Sequence, residues 1–259
     1  MKKINLVLGF CVMLFIASPG LAQDYKIPVQ NVKEGKLILM DFMGELPIEG
    51  YAGSDIIITP DRVKETPERA KGLKPIFPGG TDNTGLGLSV EKDGGRITVR
   101  CLIPFTQSAR FSIKVPNELA LKIKSGCERS NSISVQNMKN EVEIDVCHSI
   151  SLKNVTGPLV LSTISGNIDI DFNGLNKDKP LSIASVSGEI DINLPANAAV
   201  DLEMSTISGK MYSDFEFPDD KNKMKRVGGS TFNAQLNGGG VNLKINTVSG
   251  NIYLRKQKA

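Results

Sequence analysis

Leu161-Ser-Thr-Ile-Ser165-Gly166-Asn-Ile168-Asp-Ile170 decides the fold, because the chain repeats it. It recurs as Ile183-Ala-Ser-Val-Ser187-Gly188-Glu-Ile190-Asp-Ile192 and as Glu203-Met-Ser-Thr-Ile207-Ser208-Gly209-Lys-Met211-Tyr212. A fourth copy is Ile245-Asn-Thr-Val-Ser249-Gly250-Asn-Ile252-Tyr-Leu254. The Ser-Gly pairs lie 22, 21 and 41 residues apart, the last interval being about two periods. Alternating apolar residues on either side of a glycine predict two strands joined at a sharp corner. Ser165-Gly166, Ser187-Gly188, Ser208-Gly209 and Ser249-Gly250 are the predicted corners; the glycine permits a positive φ and the serine bonds to the turn backbone.

One such unit cannot bury its own apolar face. Stacking units about 4.8 Å apart lets each strand pair with its copy in the next coil. The period predicts an all-β fold, a single-stranded parallel β-helix or β-solenoid with coils of about 21 residues. A leucine-rich repeat has a similar period, but its leucine consensus and Asn ladder are missing. An antiparallel barrel would not need the same strand–corner–strand text each time. Running the period-two phase through the corner puts Ile164, Ile168 and Ile170 inside. It puts Thr163, Asn167 and Asp169 outside. Two buried ladders follow, Ile164/Val186/Ile207/Val248 and Ile168/Ile190/Met211/Ile252. Thr163, Ser185, Thr206 and Thr247 become an outward row of short polar side chains, a candidate contact ladder.

Outward from the repeat the text changes. Degraded copies begin near Leu121, and Ser132 to Met138 aligns with Ser149 to Val155. Residues 60–95 form a loop insertion rich in Pro and Gly, with a short helix expected over Pro67 to Lys71 and Thr66 as its cap. Residues 219–240 form a Gly/Lys-rich loop. At the start, Lys2 and Lys3 precede an apolar run from Ile4 to Ala17 and a small-residue site ending at Ala22. Residues 1–22 therefore read as a cleaved signal peptide, leaving one domain, 23–259. The run is shorter than the ~20 residues that span a bilayer, and no transmembrane segment is expected in the mature chain. Export leads to the periplasm, the cell surface or the extracellular space.

Composition narrows the function. Without Lys2 and Lys3, 29 of the 31 basic residues face 28 acidic ones. That balance gives no basic surface for nucleic acid. Trp is absent, Tyr numbers four and His one, which removes most aromatic platforms for sugars and His-based nucleophile activation. A carboxylate enzyme stays open. Asp169 and Asp191 are equivalent positions, a pair for calcium or a shared proton, or simply a solvated face that discourages sideways pairing. Asp82-Asn83-Thr84-Gly85-x-Gly87 lacks the repeated nonapeptide of calcium-binding turns. His148 beside Cys147 reads as structural, since neighbours on a strand point apart. No cofactor, metal or catalytic residues are assigned. After the signal, Cys101, Cys127 and Cys147 remain. They read either as small buried residues or, for Cys127 and Cys147, as a candidate disulfide between equivalent corners of adjacent coils.

The repeated phrase, with the opening Gly44-Glu-Leu-Pro-Ile-Glu-Gly50-Tyr51, resembles the putative-adhesin family, a domain of otherwise unknown function. The match is good from Lys122 to Leu254 and loose before it. The resemblance implies a right-handed β-solenoid at the cell envelope or outside the cell, and supplies no catalytic residues. The expectation is an exported, non-catalytic module that binds an envelope polymer, glycan or protein. The rivals are a carbohydrate-active enzyme on a parallel β-helix and a structural, self-associating envelope protein.

Overall fold

Short runs of alternating buried and exposed residues, punctuated by Gly, Asn and Pro, make nearly every described segment a strand. The computed structural model describes residues 24–61, 67–73, 75–107, 109–129, 131–176, 179–217, 225–226 and 229–258. The predicted signal peptide and Thr66 lie outside them. The strands begin with β1 (Tyr25–Pro28), β2 (Lys36–Met40), β3 (Gly44–Tyr51) and β4 (Asp55–Pro60). Next come β5 (Leu88–Asp93), β6 (Arg96–Cys101), β7 (Phe111–Pro116), β8 (Ala120–Lys124) and β9 (Asn131–Gln136). The repeat region holds β10 (Val142–Val146), β11 (Ile150–Val155), β12 (Leu159–Ser165), β13 (Ile168–Phe172), β14 (Leu181–Ser187) and β15 (Ile190–Leu194). The last are β16 (Val200–Ser208), β17 (Met211–Ser213), β18 (Lys225–Arg226), β19 (Ser230–Leu236), β20 (Val241–Ser249) and β21 (Ile252–Lys256). The expected helix is a single 3-10 turn, Glu68–Ala70, without a side-chain cap.

Two mixed sheets result. One has the order β1-β4-β7-β3-β9-β11-β13-β15-β21-β17. The other has the order β18-β19-β16-β20-β14-β12-β10-β8-β2-β6-β5. From β8 to β15 successive strands alternate between the sheets, so each consecutive pair is one coil, paired in parallel with the next. A coil takes 17 to 22 residues, less regular than the repeat text predicts. The uniformly parallel ladder needs correction too. β1–β4, β4–β7, β5–β6, β16–β19 and β18–β19 are antiparallel and sit toward the two ends. These antiparallel strands follow the parallel stack at three of the four sheet ends, and β17, paired in parallel with β21, is the fourth. The stretch 219–240, expected as loop, contains β19, one of these antiparallel strands.

The core lies between the sheets. Ile144, Leu161, Ile183 and Ile245 form one buried row, and Ile150, Ile168, Ile190 and Ile252 face them from the other sheet. Each such side chain contributes roughly 1.5–3 kcal/mol when withdrawn from water. The corner glycines stack as Gly166, Gly188, Gly250 and Gly209, in spatial rather than sequence order. A Cβ on Gly188 would run into the carbonyl of Gly166, one on Gly250 into that of Gly188, and one on Gly209 into that of Gly250. Close approach of neighbouring backbones makes glycine necessary here.

Candidate functional site

The corner row carries the distinctive surface. Register places Thr163, Ser185, Thr247 and Thr206 side by side on adjacent strands. All four are buried, at 1%, 5%, 4% and 2% exposure. The neighbouring row, Ile164, Val186, Val248 and Ile207, is open to solvent at 51%, 49%, 45% and 63%. The candidate contact ladder Thr163/Ser185/Thr206/Thr247 is thus corrected: its members face the interior, and the aliphatic row expected inside faces out. The cause is a phase break at the corner. Leu159, Leu161 and Thr163 point in; Ile164 and Ser165 are then both exposed, and inward phase restarts at Ile168. A small hydroxyl suits this narrow position. Thr163 Oγ1 donates to the His148 carbonyl at 2.7 Å and Thr206 Oγ1 to the Gly250 carbonyl at 3.2 Å.

The exposed row is a straight ridge of β-branched side chains. On one side run Ser165, Ser187, Ser249 and Ser208, all exposed, and on the other Ser162, Ala184, Asn246 and Ser205. No charged residue interrupts these three rows. Cys127 and Cys147 are disulfide-bonded, with Cα atoms 5.1 Å apart, and occupy the corner beside the ridge. Bridging a 20-residue separation contributes about 3 kcal/mol in the chain-entropy account. Cys101 is free and buried; burial pushes its thiol up.

Round the corner the outer face carries Asp169, Asp191, Tyr253 and Tyr212 in register. Tyr212 and Tyr253 stack with centroids 5.3 Å apart and planes 9° from parallel. The two tyrosines continue the row that begins with Asp169 and Asp191. Their meeting depends on β21 pairing with β17, which the repeat text does not specify. Arg255 Nε donates to both oxygens of Asp191, at 2.8 and 2.9 Å. Partial burial, then the charges of Asp191, Asp171 and Glu189, push the Asp169 carboxyl up.

The other singled-out residues have local roles. Asp82 accepts from the backbone of Thr84, Gly85 and Gly87 and from the Thr84 hydroxyl, at 2.9 Å each. Partial burial opposes these bonds, but together they hold its carboxyl below the usual range. His148 is half-buried, and its Nε2 has no hydrogen-bond partner. Among the described residues, no group of three or more His, Cys, Asp or Glu is placed to hold a metal ion. No described helix is long and apolar enough to cross a membrane. A shallow groove of about 550 Å³ lies between β3, β4 and β7, lined by Glu45, Thr59, Asp61 and Arg110 among others.

Stacked short strands, glycine corners and a continuous two-sheet core define an all-β repeat protein of the solenoid kind. The chain belongs to the Toastrack DUF4097 family, whose model matches residues 113–255, over half its length. No curated protein matches it. Among solved structures it is similar to a putative cell adhesion protein from Clostridium sporogenes, at 12% identity and TM-score 0.43, covering 91% of this chain and 99% of that one. A putative adhesin from Bacteroides fragilis follows at 11% identity and TM-score 0.38, covering 91% and 96%. A putative lipid binding protein from Parabacteroides distasonis has 12% identity and TM-score 0.36, with the same coverage. None of these names describes an enzyme.

Proposed function

We propose that the chain is an exported, non-catalytic adhesin-like module, a right-handed β-solenoid that holds a rigid contact face toward a cell-envelope or surface partner. The observation that carries this reading is the Ile164/Val186/Val248/Ile207 ridge. Half-exposed aliphatic side chains aligned on four consecutive rungs, with no charge between them, are an expensive surface to leave in water. Their strands are hydrogen-bonded to neighbours on both sides, in parallel except where β16 meets β19, so little ordering entropy opposes binding. The signal-like start of the chain supports delivery to the periplasm, cell surface or exterior.

The test is a screen of the mature chain, Gln23 to Ala259, against surface glycans, envelope polymers and envelope proteins. The variant carries Ile164→Lys with Val248→Lys. Both sites are exposed, so the melting temperature should stay within a few degrees while binding falls at least about tenfold. A variant that binds as well as the parent would remove the ridge from the contact.

A further inference from the structure

A different surface, on the same coils, carries chemistry that the ridge lacks. β17 is the terminal strand of its sheet, with β21 on its inner side. Tyr212 lies flat on Tyr253, so its second ring face points along the stack, away from β21. Tyr212 is 47% exposed. Beside this platform the polar groups are planar and held in place. Asn251 Nδ2 donates to Tyr253 Oη at 3.0 Å and to Glu189 Oε1 at 3.1 Å. Tyr253 Oη donates to the same Glu189 oxygen at 3.1 Å. The Arg255 guanidinium, paired with Asp191, lies 5.4 Å from the centre of the Tyr253 ring.

We infer that Tyr212 and Tyr253, with Glu189, Asn251 and Arg255, form a binding platform for an uncharged glycan. This rests on the binding-module reading above and assigns it a second site and a ligand class. An aromatic face carries negative quadrupole density and attracts the weakly positive C–H face of a pyranose ring. A hexose also presents hydroxyls that donate and accept, and the rim offers both kinds of partner: carboxylate and phenol oxygens, an amide and a guanidinium. Charge selects among glycans. Asp169, Asp171, Glu189 and Asp191 outnumber the adjoining Arg255, Lys210 and Lys153 by one, and the mutual repulsion of the carboxylates is what helps raise the Asp169 carboxyl. That field repels uronates, sialic acids and phosphates, and leaves neutral hexose and N-acetylhexosamine chains.

Absence of Trp makes tyrosine emission a direct reporter, and two of the four tyrosines are in the platform. The mature chain is titrated with cellohexaose, mannohexaose, laminarihexaose and N-acetylchitohexaose, with polygalacturonate as the acidic comparison. At least one neutral oligomer should change the emission saturably, and polygalacturonate should not. Tyr212→Ala should weaken that binding about tenfold, and Tyr212→Phe, which keeps the ring face, less than about threefold. Unchanged binding by Tyr212→Ala, or a preference for polygalacturonate, overturns the inference. So does binding of a protein or lipid partner through the ridge with no neutral glycan bound; that outcome leaves the binding-module reading standing. Failure to bind any partner in either experiment would overturn both.

Discussion

At the residue scale, the buried hydroxyl row divides into two kinds of position. Thr163 gives its hydrogen bond to the His148 carbonyl, the corner backbone of the adjacent rung. Thr247, two rungs further along the same row, has a buried Oγ1 with no partner. A lost net hydrogen bond costs about 1 kcal/mol, and an unmatched buried hydroxyl costs as much or more. Thr163→Val should therefore destabilise the protein by about 1 kcal/mol, and Thr247→Val, near-isosteric, should stabilise it by about that amount. Urea unfolding of the two variants measures the contrast; equal shifts of the same sign would mean that Thr247 has a partner after all. The exposed ridge was hidden in the sequence for a related reason. Alternation identifies strands and their two faces, but Ile164 and Ile168 sit on opposite sides of a glycine that resets the phase. An aliphatic residue at Ile164 looks more interior than the Thr163 beside it. Thr163 is at home inside because it bonds to the adjacent rung's corner, a partner 15 residues away.

At the element scale, the early strand β2 joins the stack beside β8 without being its chain neighbour. Lys36 on β2 helps to hold it there. Its Nζ lies 3.2 Å from both Glu141 and Glu143; Lys122 adds a 2.5 Å bond to Glu143, and Lys179 a 2.8 Å bond to Glu141. Lys179 is the main reason the Glu141 carboxyl falls below its ordinary 4.5, with burial opposing and Lys36 assisting. For Glu143 the main cause is Lys122, again with burial opposing and Lys36 assisting. Burial opposes the charge of Lys36, but the two glutamates outweigh it and raise its ammonium above 10.5. Depressed carboxylates stabilise the fold fully above pH 4.5, and that contribution disappears as pH falls through their lowered values. The raised lysine contributes fully below pH 10.5 and loses its share as pH rises through its own higher value. Lys36→Met keeps the apolar stem and removes the charge. It should cost about 1 kcal/mol near neutrality, a figure already reduced for solvent screening. The deficit should shrink below pH 4.5 and again above pH 10.5, as followed by urea melts across pH. A deficit independent of pH would assign the effect to packing. Little of this network is visible in the sequence, where Lys36 and Glu143 stand 107 residues apart in text without a clear repeat. β19 escaped notice similarly: its pairing with β16 is antiparallel and does not repeat the corner phrase.

At the scale of the whole molecule, the order of the rungs departs from the order of the chain at both ends. The β2/β3 coil lies between β6/β7 and β8/β9, and the β20/β21 coil between β14/β15 and β16/β17. The repeat established which residues share a row but could not order them, because any copy fits any rung. Leu181, Leu243 and Leu202 are successive partners across β14, β20 and β16; so are Ser185, Thr247 and Thr206. This equivalence has a mechanical consequence. Deleting residues 241–259 leaves β16 about 9.6 Å from β14, two strand spacings, too far to pair. Yet β16 brings the same inward residues and a Gly209 corner able to sit against Gly188 as it now sits against Gly250. Moving one rung inward restores the ladder, and β19 travels with it as the cover. The shortened chain should therefore remain cooperative, less stable by the loss of one rung, with the amides of Val200 to Ser208 still protected from hydrogen exchange. If those amides instead exchange freely while Leu121 to Leu194 stays protected, β16 cannot replace β20. The inserted coil would then be a specific wedge whose register the repeat does not supply, and the corner row would owe its order to contacts beyond the shared motif.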